Sequence, residues 1–218
     1  MPRLPRLVAP GHPHRVTQRG SRRQATFFCD DDYSTYRDLL AHQLPKAETD
    51  LLAYCLMPNH VHLIVIPNRR DSLSRLLRIT HGCYAHRINL EHGWQGHLWQ
   101  ERFRSFVMDE DHLLAAARYV ELNPVRAGLC SRPEEWPWSS VHFHLQNIPD
   151  PLISGCGMRA FVDDWHSLLA EGLTNLELDI LRNHSRNGRP AGCLGFVRTL
   201  ESTPGQRMTV RRRRSPGP

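Results

Sequence analysis

Hydrophobic and polar positions along the chain repeat with period two in some stretches and with helical spacing in others, and the two patterns alternate. Residues 14–19 (His-Arg-Val-Thr-Gln-Arg) alternate like a strand and stop at Gly20-Ser21. Asp30 to Asp32 can cap a helix with Tyr33, Tyr36, Leu39 and Leu40 on one face, ending before Pro45. Residues 51–57 and 60–66 are apolar runs joined at Pro58-Asn59, a tight connection that suits an antiparallel hairpin. Ser72 caps a long helix with Leu73, Leu76, Leu77, Tyr84 and Ile88 at helical spacing, stopped by Gly93. Residues 104–108 form a further strand candidate. It leads into a helix from near Asp109 that packs through Leu113, Leu114, Ala117 and Val120. The order β-α-β-β-α-β predicts an α+β protein of the ferredoxin-like (split βαβ) kind, an antiparallel sheet with helices on one face and one more helix laid on it.

From Trp136 the character changes. Trp-Pro-Trp-Ser-Ser is followed by a loop over 149–157 and by a helical stretch from 161 to about 183. Beyond Gly188 the chain is rich in Gly, Arg and Pro, and its last fifteen or so residues read as disordered. The expected organisation is a main domain over 1–145, a C-terminal helical extension over 146–200 and a basic tail over 201–218. No internal repeat is present.

Charge sharpens this picture. The net charge is +6, Lys46 is the one lysine, six arginines precede the first acidic residue, Asp30, and four more form Arg211 to Arg214. Guanidinium groups bind phosphate through two parallel hydrogen bonds and stack on bases, so cationic ends favour a polyanion such as nucleic acid. The six cysteines contain no Cys-x-x-Cys pair, which argues against a zinc knuckle or a disulfide scaffold and for reduced thiols. The apolar runs are too short to span a bilayer and the Arg/Pro-rich start lacks a signal-peptide core, so a cytoplasmic protein with no membrane partner is expected.

Residues 57–66, Met-Pro-Asn-His-Val-His-Leu-Ile-Val-Ile, carry the candidate chemistry. On a strand His60 and His62 point the same way and Val61 the other. A half-buried strand has no packing reason to set two imidazoles side by side, whereas a divalent metal does. The spacings His12/His14 and His142/His144 lie outside clean strand patterns and are not expected to bind metal. A hard ion needs another oxygen ligand, and Asn123 could supply one to Mg²⁺ or Mn²⁺. Tyr119, four residues earlier, shares its face if the helix continues that far. A phenol there could attack phosphorus. On residue type alone the alternatives stay open, because a tyrosine on an amphipathic helix is more often core and Asn before Pro is a routine terminator.

Several segments together resemble one family: Met-Pro-Asn-His-Val-His-Leu-Ile at 57–64, Gly-His-Leu-Trp-Gln-Glu-Arg-Phe-Arg-Ser at 96–105, Tyr-Val-Glu-Leu-Asn-Pro-Val-Arg-Ala-Gly-Leu at 119–129 and Trp-Pro-Trp-Ser-Ser at 136–140. The stretches 13–24 and 187–197 are similar too. The chain is similar to the REP-associated tyrosine transposases, the single-tyrosine branch of the His-hydrophobe-His transposases, over nearly its full length. The resemblance implies that His60, His62 and Asn123 hold the metal and that Tyr119 is the nucleophile. The implied reaction cleaves single-stranded DNA at hairpin-forming palindromic repeats, leaving a 5′-phosphotyrosine and a 3′-hydroxyl that can rejoin strands. Glu121, two residues from Tyr119, is not assigned to the metal.

For DNA recognition, Arg15, Arg19, Arg22 and Arg23, with Gln18 and Gln24 between them, offer phosphate and base-edge contacts, and Arg102, Arg104 and Arg126 flank the motifs. Trp99, Trp136 and Trp138 could stack on bases, although core packing suits each better. The tail Arg211 to Arg214 would add sequence-independent, salt-sensitive affinity or shield the site. Two rivals remain: a domesticated nucleic-acid binder that does not cut, and a hydrolase using water in place of tyrosine. Both a monomer and a homodimer fit the family.

Overall fold

The computed structural model describes residues 6–155 and 157–202. Four strands, β1 (His14–Arg19), β2 (Thr49–Met57), β3 (His60–Pro67) and β4 (Arg104–Val107), form one sheet in the order β2-β3-β1-β4. Every neighbouring pair is antiparallel. Helix α1 (Asp30–Lys46) connects β1 to β2, and α2 (Ser72–Glu91) connects β3 to β4. This is the expected βαββαβ order, with β1 and β3 at the centre.

Alternation along the strands divides the sheet into two unlike faces. Val16, Leu51, Tyr54, Leu56, Val61, Leu63 and Val65 point to one side and form a core with Tyr36 and Leu40 of α1 and Leu73, Leu77 and Tyr84 of α2. An aromatic cluster closes it. Phe27 stacks on Tyr33 at 4.4 Å, and Tyr33 stacks on Trp138 at 4.7 Å. The tryptophans belong to this packing: Trp99 Nε1 donates to the His81 carbonyl and Trp136 Nε1 to the Leu56 carbonyl.

The opposite face is covered as well, which corrects the expectation of helices on one side. The two crossover helices do share one face. Against the other pack α3 (Glu110–Glu121), which begins where Asp109 accepts from the His112 N–H, and helices from the C-terminal part. Ala116 and Ala117 are small enough to bring α3 close to Ala53, Cys55 and Ile64 of the sheet. A short α4 (Asn123–Arg126) and α5 (Val141–Gln146) follow, then α6 (Trp165–Ala170), α7 (Asn175–Asn187) and α8 (Leu194–Ser202).

Other departures have local causes. The expected helix from 161 to about 183 is two helices, because Gly172 turns the chain with φ +64° and Thr174 with Glu177 forms a capping box that starts α7 afresh. Helix α1 runs through Pro45 to Lys46, since a proline in the last turn breaks little. The cap of α2 is Asp71 rather than Ser72. The basic tail lies outside the described residues apart from Glu201 and Ser202, which end α8.

Candidate active site

The register builds the site. Met57 and Cys55 lie opposite His60 and His62 on one flank, and Arg19 and Thr17 lie opposite them on the other. Partners directly across an antiparallel pair share a face, so Arg15, Thr17, Arg19, Arg104 and Phe106 join the histidines on the α3 side of the sheet. The His60 and His62 rings stand 4.6 Å apart and nearly perpendicular. Neither ring carries charge near neutrality: burial, and then the neighbouring cationic groups, pull His60 down to about 3 and His62 well below its ordinary value.

Hydrogen bonding fixes the His60 tautomer. The Asn59 Nδ2 donates to the Arg23 carbonyl at 3.2 Å, which orients the amide with Oδ1 toward His60. The Nδ1–H of His60 donates to that oxygen at 2.6 Å, leaving the Nε2 lone pair free for a ligand.

Helix α3 delivers the remaining groups. Pro124 interrupts it, but Leu122 keeps a near-helical turn (φ −83°, ψ 1°), with its N–H bonded to the Arg118 carbonyl, so Tyr119 and Asn123 still face the same way. The Tyr119 ring lies 5.6 Å from the His62 ring, and the Asn123 amide lies 2.9 Å from His62 Nε2. Guanidinium groups stand over the phenol: Arg15 Cζ is 4.4 Å and Arg126 Cζ 4.6 Å from the ring centroid. Burial alone would raise the Tyr119 pKa, but Arg15, Arg126 and Arg182 outweigh it, and the phenol lies below its usual value.

Arg15 is itself unusual. It is 3 % exposed, and burial followed by the nearby Arg126 lowers its pKa to about 10 in spite of Tyr119. Its partners are neutral: Nη1 donates to Ser185 Oγ at 3.0 Å, Nη2 lies 3.3 Å from His62 Nδ1, and Nε has no hydrogen-bond partner. A buried cation with no carboxylate beside it is a site for an incoming anion.

Gln18, Arg19, Arg23, Arg102 and Arg104 line a cleft of about 350 Å³ that opens over Tyr119 and His62. Arg22 is exposed and outside this lining. Arg22 and Arg23 both hold positive φ, 54° and 62°, a strain of about 1–3 kcal/mol each that is stored where the chain turns beside the cleft. Gln18 turns inward, its Nε2 donating to the carbonyls of Gln100 and Glu101. It therefore shapes the 100–101 wall through backbone contacts. Sequence reasoning missed Asn59, which orients His60, and Arg182, Ser185 and Arg186 of α7, which line the same cleft. The three residues on α7 are spaced i, i+3, i+4, a polar stripe visible in the sequence but with no motif around it.

Glu121 faces away from the site. Its Oε1 accepts from Ser140 Oγ at 2.9 Å and from His144 Nδ1, in a fully buried network. His144 also stacks on Trp165 at 4.2 Å, so the His142/His144 spacing serves packing. Among the described residues no cluster of three His, Cys, Asp or Glu could hold a metal. A metal at His60 and His62 therefore takes its next protein ligand from another residue type, and Asn123 is in place. The amide atom beside His62 Nε2, at 2.9 Å, is Asn123 Nδ2, so Oδ1 turns toward a cation there once the amide flips about its Cγ. Two neutral imidazoles beside a carboxamide are a donor set whose chemistry suits a divalent cation.

A family model described as Transposase IS200 like matches residues 10–123, which span β1 through Asn123 and hold both histidines and Tyr119. The chain belongs to the IS200-like transposases. This transposase is 26% identical over 114 residues to a REP-associated tyrosine transposase of Escherichia coli strain K12, across 50% of this chain and 67% of that one. It is 24% identical over 140 residues to a putative REP-associated tyrosine transposase of Haemophilus influenzae, across 58% of this chain and 76% of that one. A solved structure of a REP-associated tyrosine transposase bound to a REP hairpin shares the fold of the IS200-like chain, with a TM-score of 0.58 at 20% identity over 71% of this chain and 92% of that one. Among the described residues of the transposase, no helix is long and apolar enough to cross a membrane.

Proposed function

We propose that this protein cleaves and rejoins single-stranded DNA at hairpin-forming palindromic repeats through a 5′-phosphotyrosine on Tyr119. One observation carries the reading. Tyr119, His60, His62 and Asn123, from β3 and the α3–α4 segment far apart in sequence, gather around His62, and Tyr119 and His62 open into an arginine-lined cleft.

The chemistry follows from what each side chain can do. The Tyr119 Oη attacks the scissile phosphorus, forming a phosphotyrosyl P–O bond as the P–O3′ bond breaks. The phenolic proton is lost and the departing 3′ oxygen leaves as a hydroxyl. The phenol is a weak nucleophile at its ordinary pKa near 10, and the guanidinium groups of Arg15 and Arg126 favour its ionised form. Arg15 also offers buried charge to the phosphate. A Mg²⁺ or Mn²⁺ held by His60, His62 and Asn123 would supply Lewis-acid polarisation of a phosphate oxygen. Asn59 keeps His60 in the tautomer that binding needs. The new phosphotyrosine conserves the bond energy, so a free 3′-hydroxyl can reverse the step without a nucleotide cofactor.

The test uses a 3′-end-labelled oligonucleotide carrying a palindrome from beside the gene, incubated with Mn²⁺ and run under denaturing conditions. A label that migrates with the protein, absent in Tyr119→Phe while DNA binding persists, supports the assignment. Equal adducts from both proteins remove Tyr119 as nucleophile. Cutting with no adduct makes water the attacker.

A further inference from the structure

Helix α7 lies beyond the residues matched by the family model, yet it enters the same cleft as Tyr119. Three observations bear on its role. First, it is tied to the helix that carries the nucleophile: Arg118, the residue before Tyr119, pairs with Glu177 of α7 and with Glu171 just before it. Leu181 is buried against the α3 core, and the ring of His184 lies 5.8 Å from that of Phe106 on β4. The position of α7 relative to Tyr119 is therefore fixed by packing and by charge.

Second, its exposed polar stripe faces the cleft. Arg182, Ser185 and Arg186 share one helical face and line the cavity opposite Arg19 and Arg104 of the sheet. Among the described residues the carboxylate paired with them is Asp179, 3.6 Å from Arg182, in an exposed contact that solvent screens. Third, Ser185 Oγ accepts from Arg15 Nη1 at 3.0 Å, so α7 also holds the buried guanidinium that stands over the phenol.

We propose that α7 is the second wall of the strand-binding cleft, with Arg182 and Arg186 contacting backbone phosphates of the single strand that crosses Tyr119 and Ser185 positioning Arg15. Arg182 and Arg186 bind phosphate by charge and carry no sequence information, whereas Ser185 acts through Arg15. The inference rests on the strand-cleaving reading, because it needs a single strand in the cleft. It makes the C-terminal helices part of the DNA-binding machinery.

The experiment compares the wild-type chain with R182Q/R186Q, without metal, by fluorescence anisotropy on a 20-nucleotide oligothymidylate and on a blunt hairpin with no single-stranded tail. Neutralising one arginine that touches a phosphate of a single strand reduces the slope of log K against log salt by about 0.7. The double variant is expected to lose about 1.4 from the oligothymidylate slope, two such steps, and to bind the blunt hairpin as before. R182K/R186K is expected to restore the slope, which a purely structural role for the arginines would not predict, and melting curves of both variants should match the wild type. An unchanged slope, an equal loss on both probes or a failure of lysine to rescue overturns the assignment to α7. If the wild type itself binds no oligothymidylate, the strand-cleaving reading falls, and that outcome is separate from the failure of α7 alone.

Discussion

Replacing Glu121 should separate the support of the nucleophile helix from its chemistry. Glu121 sits between Tyr119 and Asn123 on the opposite side of α3, and its Oε1 is the shared acceptor for His144 Nδ1 and Ser140 Oγ. In Glu121→Ala both donors lose it inside a fully buried pocket. A buried donor left without a partner costs about 1–3 kcal/mol. Ser140 falls at the low end, because its hydroxyl also lies 3.3 Å from the Tyr54 carbonyl and can turn there. His144 has no alternative, since its Nε2 is already unpartnered. With a small cavity added, the total should be about 3–5 kcal/mol. Urea denaturation followed by circular dichroism measures it. The double variant E121L/H144F removes donor and acceptor together and keeps an aromatic ring on Trp165, so it should cost clearly less than Glu121→Ala alone. If the double variant instead costs the sum of Glu121→Leu and His144→Phe, the two side chains act independently and the network does not brace α3.

Asn59→Ala removes the acceptor that orients His60 and should weaken Mn²⁺ binding about 10- to 100-fold by calorimetry, while Tyr119→Phe leaves that affinity unchanged. Stability should fall in acid. Burial holds His14 at about 4 and His81 at about 3, so their contribution is complete above pH 6.5 and shrinks as pH drops below it. At pH 5.5 each loses about 1.4 kcal/mol, and His60 and His62, depressed in the same way, lose as much, so a combined loss of about 5–6 kcal/mol should appear in urea titrations relative to pH 7.5, and a flat profile between these values refutes the neutral assignment. Gly20→Ala places a Cβ 2.4 Å from the Gln24 carbonyl and 2.7 Å from Thr26 Cγ2. It should cost about 1–3 kcal/mol in a thermal melt and weaken DNA binding by shifting the Arg22-Arg23 turn.

The strands were legible because each carries period-two alternation and ends at a turn residue, and the His60/His62 face was legible because that period is rigid. Tyr119 and Asn123 could be paired from spacing alone, although Pro124 left the course of the helix open and only the near-helical Leu122 shows that their common face survives. What sequence could not show was long-range pairing between residues with no motif. Arg118 with Glu177, Arg15 with Ser185 and Glu121 with His144 join positions 59, 170 and 23 residues apart. The second covered face of the sheet was missed for a related reason: the apolar residues of the C-terminal helices signal burial without saying against what. The break before α7 was there to be read, in Gly172 and the Thr174-x-x-Glu177 box.

The two-residue turn at Pro58-Asn59 sets which side of β3 meets which layer. One residue inserted or deleted there, with the downstream pairing re-formed one step over, would rotate Val61 and Leu63 into the cleft and bury both imidazoles beneath α1 and α2. Loop-length variation, tolerated at most surface connections, is therefore closed to this hairpin. Libraries built on this scaffold should vary the turn by substitution and hold its length at two.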